Sequence, residues 1–288
     1  MAYFHLHFFK EKSRKIDIEA LISFFENFEE IEVQMDETSA RFIYTHPRLG
    51  FEATFIITPK SVVPNIYRLN PRFLDLNFRL DIPLFYADYV VEEILKLVKK
   101  LVTAFNFYVY SEAFEDVLSF KSETILKAYI LVKEAYISKY PQKIDTYYKV
   151  SKEKLSNILR YLDDLLELQI YYKDLRTYVP KYVFYVTNTK EVISLIEWKE
   201  DSLTVFPPEV DYILLRQGQR FKVIQYHQFL ENASKLLLDV PGFLKGTKVI
   251  TKKNAKKIFK LAKNKKKTPG LELDLQQLKN ITYHQLID

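Results

Sequence analysis

His5 and His7 are the first residues whose type and spacing suit chemistry. They stand in MAYFHLHFFK, which alternates as a strand does. Residues i and i+2 of a strand share a face, so both imidazoles can reach one metal ion or one anion. His46, on another expected strand, would supply a third ligand. Metal chemistry has no further support, because the chain holds no HExxH and no carboxylate at ligand spacing. The competing reading is two half-exposed histidines on an aromatic sheet face.

The strongest functional signal is a run of charge. Residues 245–267 hold eleven of the 43 Lys and Arg residues and no acid, so with a net charge of +6 the rest of the chain is acidic on balance. Lys252, Lys253, Lys256, Lys257, Lys260 and Lys263, interleaved with Ile258, Leu261 and Ala262, have the spacing of a basic amphipathic helix. Lys265, Lys266 and Lys267 extend the charge beyond it. Such a segment attracts polyanions by counterion release, and nucleic acid, an anionic membrane surface and an acidic protein all fit. Lysine without arginine argues against bidentate base reading, so a nucleic-acid contact here would be independent of sequence. The plainer alternative is a solubilising appendage.

Arg68, Arg72 and Arg79 are interleaved with Tyr67, Phe73 and Phe78. Aromatic rings beside guanidinium groups suit stacked bases and phosphates. The pattern is similar to the sheet of an RNA-recognition motif, from which it departs at Gly50–Phe55, where Glu52 and Thr54 replace small and aromatic residues. Carboxylates cluster at Glu29, Glu30 and Glu32, at Glu92 and Glu93, and at Asp163, Asp164 and Glu167. These read as helix ends and solvated helix faces rather than an acid–base pair across a cleft.

Other chemistries are excluded. The five glycines, at 50, 218, 242, 246 and 270, make neither a Walker loop nor GxGxxG, and GxSxG is absent. Without cysteine there is no disulfide, thiolate nucleophile or Cys-bound metal. Residues 1–10 lack the basic and apolar regions of a secretory signal. Charges interrupt every apolar run before the roughly 18 residues of a membrane span. The expected location is the cytoplasm, with no transmembrane segment.

The elements that must position these residues follow from periodicity. Strands are expected over 3–10, 31–35, 40–46, 51–58, 73–80 and 107–110, and helices from Asp17 to Phe28 and from Pro83 to Asn106. Helices follow at 122–139 and 151–168, the second with a stripe of Leu155, Ile158, Leu159, Leu162, Leu165 and Leu166. Five strand-like runs between 181 and 226 read as an antiparallel meander, with a helix near 228–238. The fold class is α+β: a two-layer antiparallel sheet with helices, of ferredoxin-like type, plus a helical connector and a second β-rich module. The expected segments are 1–112, 113–172, 173–244 and a basic tail, 245–288. The expected function is a non-enzymatic protein-binding or adaptor role with no cofactor. The alternatives are sequence-independent nucleic-acid binding through the lysines, and a metal-dependent enzyme using the N-terminal histidines.

Overall fold

Alternation of side chains builds the first sheet. In β1 (Tyr3–Glu11), Phe4, Leu6 and Phe8 are buried on one face, while His5 and His7 lie on the other. The structure, a computed structural model, describes residues 2–13, 17–36, 38–218, 220–271 and 277–288. It divides into two compact units, Met1–Asp145 and Thr146–Asp288, in place of the four segments expected.

The first unit continues through α1 (Ile18–Glu26), β2 (Ile31–Met35), β3 (Ala40–Thr45), β4 (Glu52–Ile57) and β5 (Phe73–Pro83). It closes with α2 (Asp88–Phe105), β6 (Tyr108–Tyr110), β7 (Leu118–Ser119) and α3 (Ser122–Lys139). Asp17 caps α1 as its position suggests, its Oδ1 accepting the Ala20 N–H at 2.9 Å. The seven strands form one sheet in the order β2-β3-β4-β5-β1-β6-β7. Every pairing in it is antiparallel. Helices packed with an antiparallel sheet place the unit in the α+β class expected. Pro83 does not start the second helix. It stays in the ladder opposite Tyr3, and α2 begins at Asp88.

The helices pack on the phenylalanine face. Phe25 of α1 lies 4.3 Å from Phe42 and 4.9 Å from Phe55, Phe8 lies 4.7 Å from Phe78, and Tyr129 of α3 meets Phe4 edge-on. On the histidine face, Phe9 joins Val63, Leu69, Tyr110 and Val117 in a smaller cluster.

The second unit runs β8 (Tyr148–Lys149), α4 (Lys152–Lys173), β9 (Tyr182–Val186), β10 (Val192–Lys199), β11 (Val205–Phe206), β12 (Tyr212–Gln217) and β13 (Arg220–Gln225). Then follow α5 (Tyr226–Ala233), β14 (Leu238–Asp239), β15 (Lys248–Val249), α6 (Ala255–Lys263), β16 (Lys279–Ile281) and β17 (Leu286–Ile287). Ser151 caps α4. Its main stripe is buried, but Leu166, which the spacing assigns to that stripe, is exposed.

Two expectations are corrected here. The β-rich region is not an antiparallel meander, because β10 and β12 pair in parallel within the sheet β13-β12-β10-β9-β16. The chain between them is about long enough for the dozen-residue crossover that a parallel pair needs. On the way it places β11 in a separate sheet beside β15, where Phe206 packs 5.2 Å from Trp198 and 5.4 Å from Phe229. Residues 245–288 are also not a tail. They supply β15, α6, the edge strand β16 and β17, with Ile258, Ile281, Leu286 and Ile287 buried. Residues 272–276 lie outside the described residues.

Candidate functional site

The lysine surface is built on α6. A helix advances about 100° per residue, so Lys256, Lys257, Lys260 and Lys263 share one face, while Ala255, Ile258, Leu261 and Ala262 are buried on the other; Lys253 lies in the turn before the helix. Phe259 lies 6.4 Å from Trp198. The C-terminus of the helix is closed by side chains. The Thr268 hydroxyl, fully buried, sits 2.8 Å from the Leu261 carbonyl, 3.1 Å from that of Ala262 and 3.0 Å from that of Asn264. The Lys222 ammonium donates to the Ala262 carbonyl at 2.8 Å. Burial, then the charge of Lys265, lowers the Lys222 pKa.

The Lys265–Lys267 triplet lies in an ordered turn. Asn264 Oδ1 accepts the N–H groups of Lys266 at 2.9 Å and Lys267 at 3.2 Å, and the Thr268 N–H donates to the Asn264 carbonyl at 2.9 Å. Lys263 pairs with Glu200 at 3.2 Å and Asp201 at 3.1 Å, and its hydrogen bonds to Asp201 and then Glu200 raise its pKa. Lys252 is exposed at the rim of a cavity. The other seven, Lys253, Lys256, Lys257, Lys260, Lys265, Lys266 and Lys267, are exposed and have no ion-pair partner among the described residues. Like charges one turn apart, as in Lys256/Lys260, destabilise a helix by about 0.2–0.5 kcal/mol per pair. A bound polyanion would relieve that repulsion.

The arginine and aromatic residues separate into two places. Tyr67 and Arg68 occupy a 3₁₀ turn, Ile66–Arg68. Tyr67 is 77% exposed and the Arg68 guanidinium lies 5.7 Å from its ring. Arg72 donates to Glu11 at 2.6 Å and stands 5.9 Å from the Phe73 ring, which itself lies 4.6 Å from Tyr108. A cavity of about 460 Å³ borders Tyr67 and Phe73. Arg79 lies farther along β5, opposite His7, and takes no part in this group.

The histidines form a different arrangement from the one expected. His5 Nδ1 lies 2.6 Å from Asp81 Oδ1, and Arg79 donates to both carboxylate oxygens of Asp81, at 2.9 and 3.2 Å. Burial raises the Asp81 carboxyl, but the hydrogen bonds from His5 and Arg79 outweigh it and hold the pKa below the usual carboxylate value. His7, 4% exposed, has its pKa lowered to about 4 by burial and then by the charges of His5 and Arg79, so it is neutral near pH 7. His46 is not brought to this pair. It follows β3, three strands across from β1, or about 14 Å at the usual strand spacing. Its Nδ1 faces the N–H groups of Arg48 and Leu49 at 3.4 and 3.3 Å. Among the described residues no three His, Asp or Glu side chains are placed to hold a metal ion. Asp81 had no signal in the sequence, because its meeting with His5 depends on strand register 76 residues away.

Among the described residues no helix is long and apolar enough to cross a membrane. No protein-family model matches the chain, no curated protein matches its sequence, and no solved structure matches its fold.

Proposed function

We propose that this chain binds nucleic acid without reading its sequence, through the lysine face of α6 and the turn that follows, and acts by binding rather than catalysis. One observation carries the reading: seven exposed lysines, without ion-pair partners among the described residues, project from a helix, the turn before it and the hydrogen-bonded turn after it. Ordered lysines lose less conformational freedom on binding than lysines on a loose tail, which favours contact with a regular phosphate array. The cytoplasm, a reducing compartment, suits a chain without cysteine.

The test is fluorescence anisotropy of a labelled strand against the full chain and a variant with Lys256, Lys257, Lys260, Lys265, Lys266 and Lys267 changed to Gln. Deleting the segment is the wrong control, because α6 and β16 belong to the second unit. Counterion release predicts a log–log salt slope of about −0.9 per contacted duplex phosphate. Seven contacts would weaken duplex binding roughly 10³–10⁴-fold between 50 and 200 mM salt. Equal affinity and equal slope for the variant would remove the reading, as would no binding at 50 mM salt.

A protein partner is the second reading, favoured by Leu166 and Ile170, both exposed one turn apart on α4. Changing both to Lys should abolish a complex recovered with the unmodified chain. Recovery at the same yield would dismiss it.

A further inference from the structure

We infer that the second unit prefers single strands to duplex, holding an unpaired base against Tyr171 in a cavity beside the lysine face. This rests on the proposed nucleic-acid binding and names the form of nucleic acid it takes.

The cavity, about 350 Å³, lies where the last turn of α4 meets β14 and β15, and is lined by Tyr171, Tyr172, Leu175, Leu238, Ile250 and Lys252 among others. Its walls are mainly apolar, which suits the flat faces of a base. Tyr171 is 55% exposed, whereas Tyr172 is buried. Tyr172 and Phe243 meet Tyr171 at 77° and 66°, so neither ring lies parallel on it, and no cation lies over it among the described residues. The one acid at the rim, Asp239, is paired with Lys248 at 2.6 Å.

Charge supplies the other half of the site. Thr251 and Lys252 line the cavity, and the chain passes from them straight into Lys253 and Lys256. A backbone held by these lysines therefore runs beside the cavity mouth. A positively charged track next to an aromatic platform is how sequence-independent single-strand binding works, since every base has a π-face to stack. A paired base is already stacked inside its helix and cannot enter. A duplex would meet the lysines alone.

The experiment compares a labelled twelve-nucleotide oligothymidine with a hairpin duplex, against the full chain and its Tyr171→Ala and Tyr171→Phe variants. Stacking on one aromatic ring corresponds to roughly 5- to 150-fold in affinity. Tyr171→Ala should lose that factor on the single strand, change duplex binding less than about twofold and leave the salt slope unaltered, while Tyr171→Phe should bind as the parent does. Trp198 fluorescence checks that each variant is folded. Single-strand affinity unchanged in Tyr171→Ala, or a parent chain that prefers duplex, would overturn this inference and leave the lysine reading standing. No binding of either probe by the parent would overturn both.

Discussion

Replacing Lys133 by methionine should destabilise the first unit severely, although its partner Asp88 would remain intact. The two side chains, 4% and 5% exposed, form an ion pair of 3.0 Å between α3 and the first turn of α2. The ammonium also lies 3.5 Å from the Tyr86 carbonyl and 5.5 Å from the Tyr129 ring. Removing one member of a buried pair leaves the other charge buried without that counter-charge, at about 3–5 kcal/mol. Lys133→Met should fall at the lower end, because the positive end of α2 still favours the carboxylate. Asp88→Ala should fall at the upper end, because the buried ammonium is then set against the positive end of α2. The double variant Lys133→Met/Asp88→Ala should lie within about 2 kcal/mol of the parent, since replacing both charges by apolar groups removes their desolvation cost. Urea denaturation followed by circular dichroism measures this. Trp198 lies in the second unit, so its fluorescence marks that unit's transition and leaves the other assigned to the first. The double-mutant cycle should give a coupling of at least about 3 kcal/mol. Additive losses in the double variant would show that the two charges do not depend on each other, and would refute the reasoning.

Three further outcomes follow from buried polar groups. His7 takes up a proton near pH 6.5 when unfolded but only near pH 4 when folded, so its contribution is complete above 6.5 and lost as pH falls toward 4. Relative to His7→Phe, the parent should lose on the order of 3 kcal/mol across that window by denaturant titration, and parallel curves would dismiss it. Tyr226→Phe removes the hydroxyl that donates to the Pro207 carbonyl at 2.9 Å and leaves that buried acceptor unpaired. A loss of about 1–3 kcal/mol should appear in the Trp198 transition, and no change would mean the carbonyl finds another donor. Thr268→Val keeps the shape of the side chain but leaves the last carbonyls of α6 without their hydroxyl. It should lower the same transition by about 1–3 kcal/mol, whereas Thr268→Ser should recover most of the loss.

Much of this architecture was legible where the signal is local. The helix expected at about 122–139 is legible because Pro141 cannot continue it, and Asp17 and Ser151 are recognisable as caps. The errors lie where distant segments choose partners. Val205 and Phe206 look like one more strand of a meander, and only the burial of Phe206 against Trp198 and Phe229 explains why they leave that sheet. Pro83 resembles a helix start, yet pairing with Tyr3 keeps it in β5. His5 and His7 were visible as a pair, but the register of β1 against β5 makes Asp81 and Arg79 their neighbours and leaves His46 across the sheet.

The lysines show the same limit from the other side. Composition marks residues 245–267 as basic but does not distinguish an appendage from a built surface, because both expose lysine. The difference lies in the uncharged residues between them. Ile258, Leu261 and Ala262 bury one face of α6, Thr268 closes its end, and Asn264 holds the turn that carries the next three lysines. A solubilising tail has no use for a buried threonine on the carbonyls of its last helical turn. It has no use, either, for a partly desolvated lysine such as Lys222 directed at one of those carbonyls, that of Ala262. These contacts hold like charges close together against their own repulsion, and that repulsion falls when phosphates take up the positions between them. An ordered array of lysines without ion-pair partners among the described residues is the surface that the proposed nucleic-acid contact requires.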